Sequence, residues 1–170
     1  MNKELTIFLL IIWIAFCLIN LMEGIYQDIK ENNIKLNCTI SKLIQEVLEF
    51  CAPVYKQHNI KYYPLYQVSN STSKPNTLGC YILQKKKIVI YVKNYSGSES
   101  EKIKDIIFCI LHEIDHHITH LKNPDFKNYE RYLNDVGYSN CIFEKSANRF
   151  ADDKLIDCIK QLRQKGILTS

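Results

Sequence analysis

One segment, residues 98–122, constrains the fold more than any other, because its apolar side chains recur at helical spacing. At about 100° per residue they fall on one side of a helix, and they are Ile103, Ile107, Ile110, Ile114, Ile118 and Leu121. Ser98 and Glu101 match a capping box at its start, and Asn123 with Pro124 predicts its end. We therefore predict an amphipathic helix whose apolar face packs on the core.

The opposite face of this helix carries a stripe of histidines. His112, His116 and His120 are spaced i, i+4, i+8, with Glu113 beside them, so that residues 112–116 read "HEIDH". Side chains four apart stand about 5–6 Å apart at Cβ, so two imidazoles can bind one metal ion. In an HExxH motif on a helix, the glutamate can take a proton from a zinc-bound water. The motif predicts His112 and His116 as Zn²⁺ ligands and Glu113 as the general base; an exposed polar face with surplus histidines is the alternative.

A third ligand is expected from another element, because a catalytic zinc site has three protein ligands and an open position. Thr119 and Lys122 stand where the metzincin arrangement requires Gly and His, so that arrangement is absent. Five residues of "FEKSANRFADD" share a face of the last predicted helix: Glu144, Ala147, Asn148, Ala151 and Asp152. We predict that Glu144 is the third ligand, that Asn148 orients a ligating imidazole, and that the alanines let the two helices approach closely.

Several further residues are candidates for secondary roles at this site. His120 lies one turn beyond His116 and is a second-line candidate, whereas Cys109 is either a ligand or an inert buried thiol. A group that stabilises the oxyanion is also expected. The candidates for it are Tyr129, Tyr132, Tyr138 and His120.

The rest of the chain predicts a mixed domain. Residues 39–57 have helical spacing, residues 60–70 are rich in β-forming residues, and residues 80–93 form two β runs around a lysine turn. Residues 125–140 indicate a loop with a short helical piece, and residues 141–165 a final helix. We therefore expect an α+β domain with a small, mostly antiparallel sheet.

The N-terminal stretch, residues 5–22, has no charged residue and approaches the ~20 residues that span a bilayer as a helix. A cleaved signal peptide is the alternative, but Phe16, Leu18 and Leu21 crowd the cleavage positions. We expect an uncleaved single-pass anchor that attaches the domain to a membrane. The predicted organisation is a tail (1–4), an anchor (5–22), a linker (23–38) and a metallopeptidase domain (39–170).

Other features bear on location and partners. The basic charge before the anchor favours a domain in the lumen or outside the cell. Six cysteines follow Cys17, which permits disulfides, and sequons occur at Asn37, Asn70 and Asn94. The net charge is only +4, and the one dense basic run, Lys85–Lys87, suits a hairpin turn. We expect no nucleic-acid partner.

The motifs "HEIDHHITH" and "FEKSANRFA" together resemble the ImmA/IrrE-type zinc metallopeptidases, over roughly residues 39–160. In that gluzincin family an HExxH helix is followed by a Glu-x-x-Ala-Asn-x-Phe-Ala signature. The resemblance implies a zincin-like fold, zinc held by His112, His116 and Glu144, and Glu113 as base. His120 matches a frequent extra histidine of the family, whereas Asp115 stands where the family usually has Gly.

The resemblance also implies the mode of substrate binding. The arm at residues 87–92 would be the edge strand on which an extended peptide lies by strand addition. The predicted function is zinc-dependent hydrolysis of peptide bonds in a protein substrate. A catalytically inactive, membrane-anchored zinc-binding or interaction module with the same fold is the alternative, and a disulfide-stabilised surface domain without metal is a third.

Overall fold

The computed structural model describes residues 34–71 and 76–169. Helical residues, short 3₁₀ turns included, make up 65% of them. The helices are α1 Ile40–Phe50, α2 Ala52–Gln57, α3 Glu99–Lys122, α4 Tyr129–Val136 and α5 Ile142–Gln164. The strands are β1 Lys35–Leu36, β2 Leu65–Ser69, β3 Gly79–Ile82, β4 Lys87–Tyr91 and β5 Leu168–Thr169.

The predicted fold class, an α+β zincin-like domain with a mostly antiparallel sheet, is wrong, because the described chain is mostly helical with two small sheets. One sheet has three strands in the order β2–β4–β3, and the other pairs β1 with β5. In the larger sheet β3 runs antiparallel to β4, but β2 runs parallel to it. The two longest helices, α3 and α5, rather than the sheets, supply much of the buried core.

The β3–β4 hairpin predicted around the lysine turn is confirmed. A 3₁₀ turn, Leu83–Lys85, connects the strands, and Lys86 follows it with a left-handed backbone (φ 45°). The strand predicted as the substrate edge, residues 87–92, lies instead in the middle of the sheet as β4. Both sides of β4 are already hydrogen-bonded to neighbours, so it cannot accept an added strand. Among the described residues, β3 lies next to α3 and has no neighbouring strand on one of its sides.

Helix α3 forms as its sequence predicts. Ser98 and Glu101 exchange both hydrogen bonds of a capping box, and the helix ends before Asn123. The apolar residues of its predicted core face are buried except in the last turn, where Leu121 is 37% exposed. Helix α5 packs along α3, and Ala147 and Ala151 are fully buried. These small side chains allow the close approach of the two helices that the sequence predicts.

Local interactions also stabilise α1, α2 and the first described residues. Thr39 caps α1 by accepting a hydrogen bond from the Lys42 amide, and Pro53 opens α2, where a missing N–H costs little. The buried Ile34 donates its backbone N–H to Ser100 Oγ at 3.1 Å, and β1 pairs with β5. The domain therefore includes residues 34–38, which the sequence assigned to the linker.

The membrane prediction requires correction. The predicted anchor, residues 5–22, lies outside the described residues. Within residues 34–71 and 76–169, no helix is long and apolar enough to cross a bilayer. The predicted single-pass membrane placement, with the domain in the lumen or outside the cell, is therefore not supported. The six cysteines after Cys17 are free thiols in the structure.

Candidate metal centre

Three side chains predicted as metal ligands converge between α3 and α5. His112 Nε2 lies 3.2 Å from Glu144 Oε2, and His116 Nε2 lies 3.2 Å from Glu144 Oε1. Ligand atoms from all three residues lie within 4.8 Å of one another. All three residues are buried, and Glu144 is only 2% exposed. The structure thus brings together the donor set that the two motifs indicate.

The donor set fits a tetrahedral metal ion. Ligands about 2.0–2.1 Å from a tetrahedral zinc stand roughly 3.3 Å apart, close to the 3.2 Å separations of the imidazole nitrogens from the carboxylate oxygens. Glu144 Oε2 is buried and has no hydrogen-bond partner in the described part of the chain. A buried carboxylate oxygen without a hydrogen bond is costly, and a cation would satisfy it.

The two imidazoles are held by different means. His112 Nδ1 lies 3.0 Å from Asn148 Oδ1. Because an amide oxygen can only accept, Nδ1 carries the proton and Nε2 keeps its lone pair for a metal. His116 is held by packing, with its ring 5.6 Å from the Phe126 ring and 5.5 Å from the Tyr129 ring. Asn148 therefore contacts the imidazole of His112, one of the predicted ligands.

The electrostatics of the cluster favour a carboxylate facing cations. Burial favours a neutral Glu144, but the His112 and His116 imidazoles and a hydrogen bond from the Tyr129 hydroxyl outweigh it and hold the Glu144 pKa far below its usual range. Burial likewise disfavours a charged His112, yet its contact with Glu144 raises the His112 pKa. The negative charge of the Glu144 carboxylate thus favours positive charge at this site.

Glu113 has a different environment from Glu144, although both are glutamates of the same site. It is 5% exposed, and burial raises its pKa, with the positive charges of His116 and His112 partly offsetting that effect. It lines the cavity at the cluster together with Tyr81 of β3. A carboxylate with a raised pKa, next to the candidate ligands rather than among them, is well suited to accept a proton.

Three of the secondary candidates lie away from the cluster. His120 does not reach the cluster, because its Nδ1 lies 2.9 Å from the Tyr81 hydroxyl. Cys109 Sγ lies beneath Gly79 rather than among the converging ligands, and burial raises its pKa. Tyr132 packs edge-on against Phe143 and faces away from the centre.

Two tyrosines remain near the cluster. The Tyr129 hydroxyl donates its proton to Glu144 Oε1. Tyr138 lines both the cavity at the cluster and the groove beside it. Burial and the nearby Glu144 carboxylate raise the Tyr138 pKa, so its hydroxyl stays protonated and can donate a hydrogen bond.

The cluster opens onto a cavity and a groove. The cavity, of about 170 Å³, is bounded by β3 on one side and by His112, His116 and Glu144 on the other. The adjoining groove, of about 590 Å³, lies between the segment that leads into β3 and the N-terminal half of α3, and shares Gly79, His112, Glu113 and Tyr138 with the cavity. A chain lying in the groove would therefore reach the cluster at His112, next to Glu113.

Sequence reasoning missed Tyr81 and Phe126, which lie in elements without a motif, and gives no role to His117 or Asp115. His117 is only 1% exposed. Its Nδ1 lies 3.0 Å from the Tyr81 hydroxyl, and burial lowers its pKa to about 4. Asp115, the departure from the family pattern, accepts a hydrogen bond of 3.0 Å from Ser146 Oγ and so ties α3 to α5.

Comparison of the chain with protein-family models, with curated proteins and with solved structures gives no match in any of the three. The ImmA/IrrE-type resemblance therefore stays a prediction from the two motifs. The arrangement of the site is argued from its own geometry.

Proposed function

We propose that the chain is a zinc-dependent metallopeptidase that hydrolyses peptide bonds in a protein or peptide substrate. The observation that carries the proposal is the convergence of His112, His116 and Glu144, with Glu113 beside them, at the wall of one cavity. The ImmA/IrrE-type resemblance of the same residues agrees with it.

The number of protein ligands supports catalysis over a purely structural metal site. Structural zinc sites are closed by four protein ligands, whereas catalytic sites keep one position open. Here three residues converge, and the cavity lies on their open side. This geometry argues against the inactive zinc-binding module.

The metal would be held by His112, His116 and Glu144. When bound, Zn²⁺ supplies a Lewis acid and lowers the pKa of a coordinated water to about 7. Asn148 keeps the proton of His112 on Nδ1, so that Nε2 faces the centre. Tyr129 holds Glu144 in place through Oε1.

Glu113 would move the proton. Its carboxylate accepts a proton from the attacking water as the water oxygen bonds to the scissile carbonyl carbon. It then delivers that proton to the nitrogen as the C–N bond breaks. The raised pKa of Glu113 favours the protonated form that the second step requires. Tyr138, which lines the cavity, would donate a hydrogen bond to the carbonyl oxygen as negative charge develops there.

The substrate would lie along β3. The Tyr91 amide donates to the Leu78 carbonyl, so alternate residues of this antiparallel pair turn their backbone groups towards β4. Gly79 and Tyr81 consequently direct theirs to the open side. The N–H and C=O of Gly79 would then pair with an extended peptide.

The proposal is tested by metal analysis and peptide-library cleavage with the purified protein. We expect one zinc per chain, cleavage that a chelator abolishes, and loss of cleavage in Glu113→Gln by about 10²- to 10⁴-fold with zinc retained. Glu130→Gln, at an exposed site on α4, is the matched control and should cleave normally. Full cleavage by zinc-loaded Glu113→Gln would refute the assigned mechanism, and a zinc-loaded wild type that cleaves nothing would refute the function.

A further inference from the structure

One stripe of α3 runs from the candidate metal centre towards the far end of the groove. Asp105, Phe108 and His112 are spaced i, i+3, i+7, so they lie on successive turns of the same helix face. All three line the groove, and the rings of Phe108 and His112 are 6.5 Å apart. A chain that leads away from His112 along the groove would therefore meet first an aromatic ring and then a carboxylate.

The end of the groove at Asp105 is negatively charged. Among the described residues that line the groove, Asp105 and Glu113 are acidic and none is a lysine or an arginine. Partial burial of Asp105 and, after it, the negative charge of Glu101 one turn earlier raise the Asp105 pKa, and no cation in the described part of the chain opposes them. The exposed carboxylate of Asp105 therefore lacks a counter-ion, and a cationic group of a ligand would supply one.

The groove is apolar next to this carboxylate. Leu78, 39% exposed, lies on the wall that leads into β3, and the half-buried Phe108 lies on the α3 wall. An arginine side chain has an apolar stem and a planar cationic end. The stem packs on apolar surface, and the guanidinium stacks on an aromatic ring and forms paired hydrogen bonds with a carboxylate. Leu78, Phe108 and Asp105 together offer these surfaces.

We propose that this stripe binds a basic side chain of the substrate and prefers arginine to lysine. The inference rests on the proposed function only in treating the bound chain as a substrate. Asp105 precedes His112 by seven residues, which is about 10 Å along a helix. An extended chain advances about 3.3 Å per residue. The basic residue therefore lies roughly three positions from the bond that is cut.

Charge reversal tests the site in cleavage kinetics. The substrates are peptides that differ only in carrying Arg, citrulline or Glu at one position near the cleaved bond; citrulline keeps the shape of arginine without its charge. At the favoured position we expect kcat/KM for the Arg peptide to exceed that for the citrulline peptide by about three- to thirtyfold, the combined effect of an exposed ion pair and a cation–π contact. Asp105→Lys should reverse the order, so that the Glu peptide is cut faster than the Arg peptide.

Two further variants separate charge from folding. Asp105→Lys places a lysine four residues after Glu101, a favourable helical pair, and Asp105→Asn, which should only abolish the preference, decides if the reversal variant does not fold. Asp157→Lys is the matched control. It changes the net charge equally at an exposed position of α5 that does not line the groove, and it should keep the wild-type preference for Arg.

The aromatic part of the site has its own test. Phe108→Leu keeps an apolar side chain but removes the ring on which a guanidinium stacks. This variant should lose most of the preference for Arg over Lys peptides, while both should still be cut faster than the citrulline peptide. An unchanged ratio of Arg to Lys cleavage in Phe108→Leu would contradict the role of the ring.

Peptide binding to zinc-free protein tests the site without relying on catalysis. Fluorescence anisotropy compares labelled, end-blocked peptide pools that differ only in a fixed Arg, citrulline or Glu. The wild type should bind the Arg pool about three- to thirtyfold more tightly than the citrulline pool, and Asp105→Lys should favour the Glu pool. A protein that binds in this order but cleaves nothing would refute the proposed function and leave the binding site in place.

Two results would overturn the inference. One is a wild type that binds the Arg, citrulline and Glu pools equally. The other is an Asp105→Lys variant that keeps the same order of peptides as Asp157→Lys. A preference for Leu or Phe that Asp105→Lys does not alter would likewise refute it, because the groove would then select apolar side chains through Leu78 and Phe108 alone.

Discussion

Glu144 Oε1 lies 3.2 Å from His116 Nε2, although Glu144 belongs to α5 and His116 to α3. The contact exists because Ala147 and Ala151 are small enough for α5 to lie close along α3. Asp115 and Ser146 add a hydrogen bond between the same helices. The site thus depends on helix packing as much as on its ligands, and the predictions below address both.

Asn148→Ala should weaken zinc binding by about 10- to 100-fold, which is the usual cost of losing the partner that orients a ligating histidine. The side chain touches His112 Nδ1 and is not itself a ligand, so one zinc should still bind at saturation. Competition with a chromogenic chelator measures the affinity. Asn134→Ala, at an exposed position of α4, should bind zinc as the wild type does; equal affinities for the two variants would contradict the role of Asn148.

Tyr138→Phe should lower kcat by about 100-fold, the size of effect seen when one oxyanion donor is removed. KM and zinc content should change little, because the ring still lines the cavity. Tyr132→Phe provides the comparison, since Tyr132 packs on Phe143 outside the cavity. A Tyr138→Phe variant as active as Tyr132→Phe would assign oxyanion stabilisation to another group.

Gly79→Ala should destabilise the domain by about 1–3 kcal/mol through overpacking. A Cβ at this position would lie 2.5 Å from Cys109 Sγ and 3.1 Å from the Val89 carbonyl oxygen. Chemical unfolding measures the loss. Adding Cys109→Ala removes the first clash and should recover part of the stability; no recovery in the double variant would place the strain elsewhere.

Glu46 should stabilise the fold at neutral pH and not in acid. Hydrogen bonds from Lys165 and then Lys42 lower its pKa, so its contribution is present above the ordinary carboxyl pKa near 4.5 and is lost as the pH falls through the lowered value. Glu46→Gln should cost about 1 kcal/mol at pH 7, because Lys165 is 37% exposed and water screens the pair.

Urea unfolding of wild type and Glu46→Gln across pH checks this dependence. The difference in unfolding free energy should shrink towards zero below about pH 4. Glu130→Gln should show no such trend, because Glu130 is exposed on α4. A difference that stays constant with pH would mean that Glu46 acts through packing rather than charge.

Local patterns predicted α3, α5 and the hairpin correctly, but the one helix expected over residues 39–57 is two helices, α1 and α2. Helical spacing and capping residues are properties of adjacent positions, so α3, with Ser98 at its start, and α5 could be read directly. The face of α3 that carries His112 and His116 followed from the same periodicity. Asn148 followed from sharing a face of α5 with Glu144.

The sequence could not give the order of the strands or the partners of His117. Strand order depends on contacts between distant segments, and the alternation of β4 is compatible with both a central and an edge position. The hydrogen bonds between Tyr81 and α3 join residues 36 and 39 positions apart. No local rule relates them, because they arise only once β3 packs on the helix.

The candidate ligands lie on two different helices, so a bound metal ion would affect folding. A metal ion held by His116 and Glu144 would act as a reversible cross-link that closes a loop of 28 residues. An ion that binds only the folded form stabilises that form by about 2.7 kcal/mol at one hundred times its dissociation constant. The supply of metal would then determine both whether the centre is active and how stable the folded chain is.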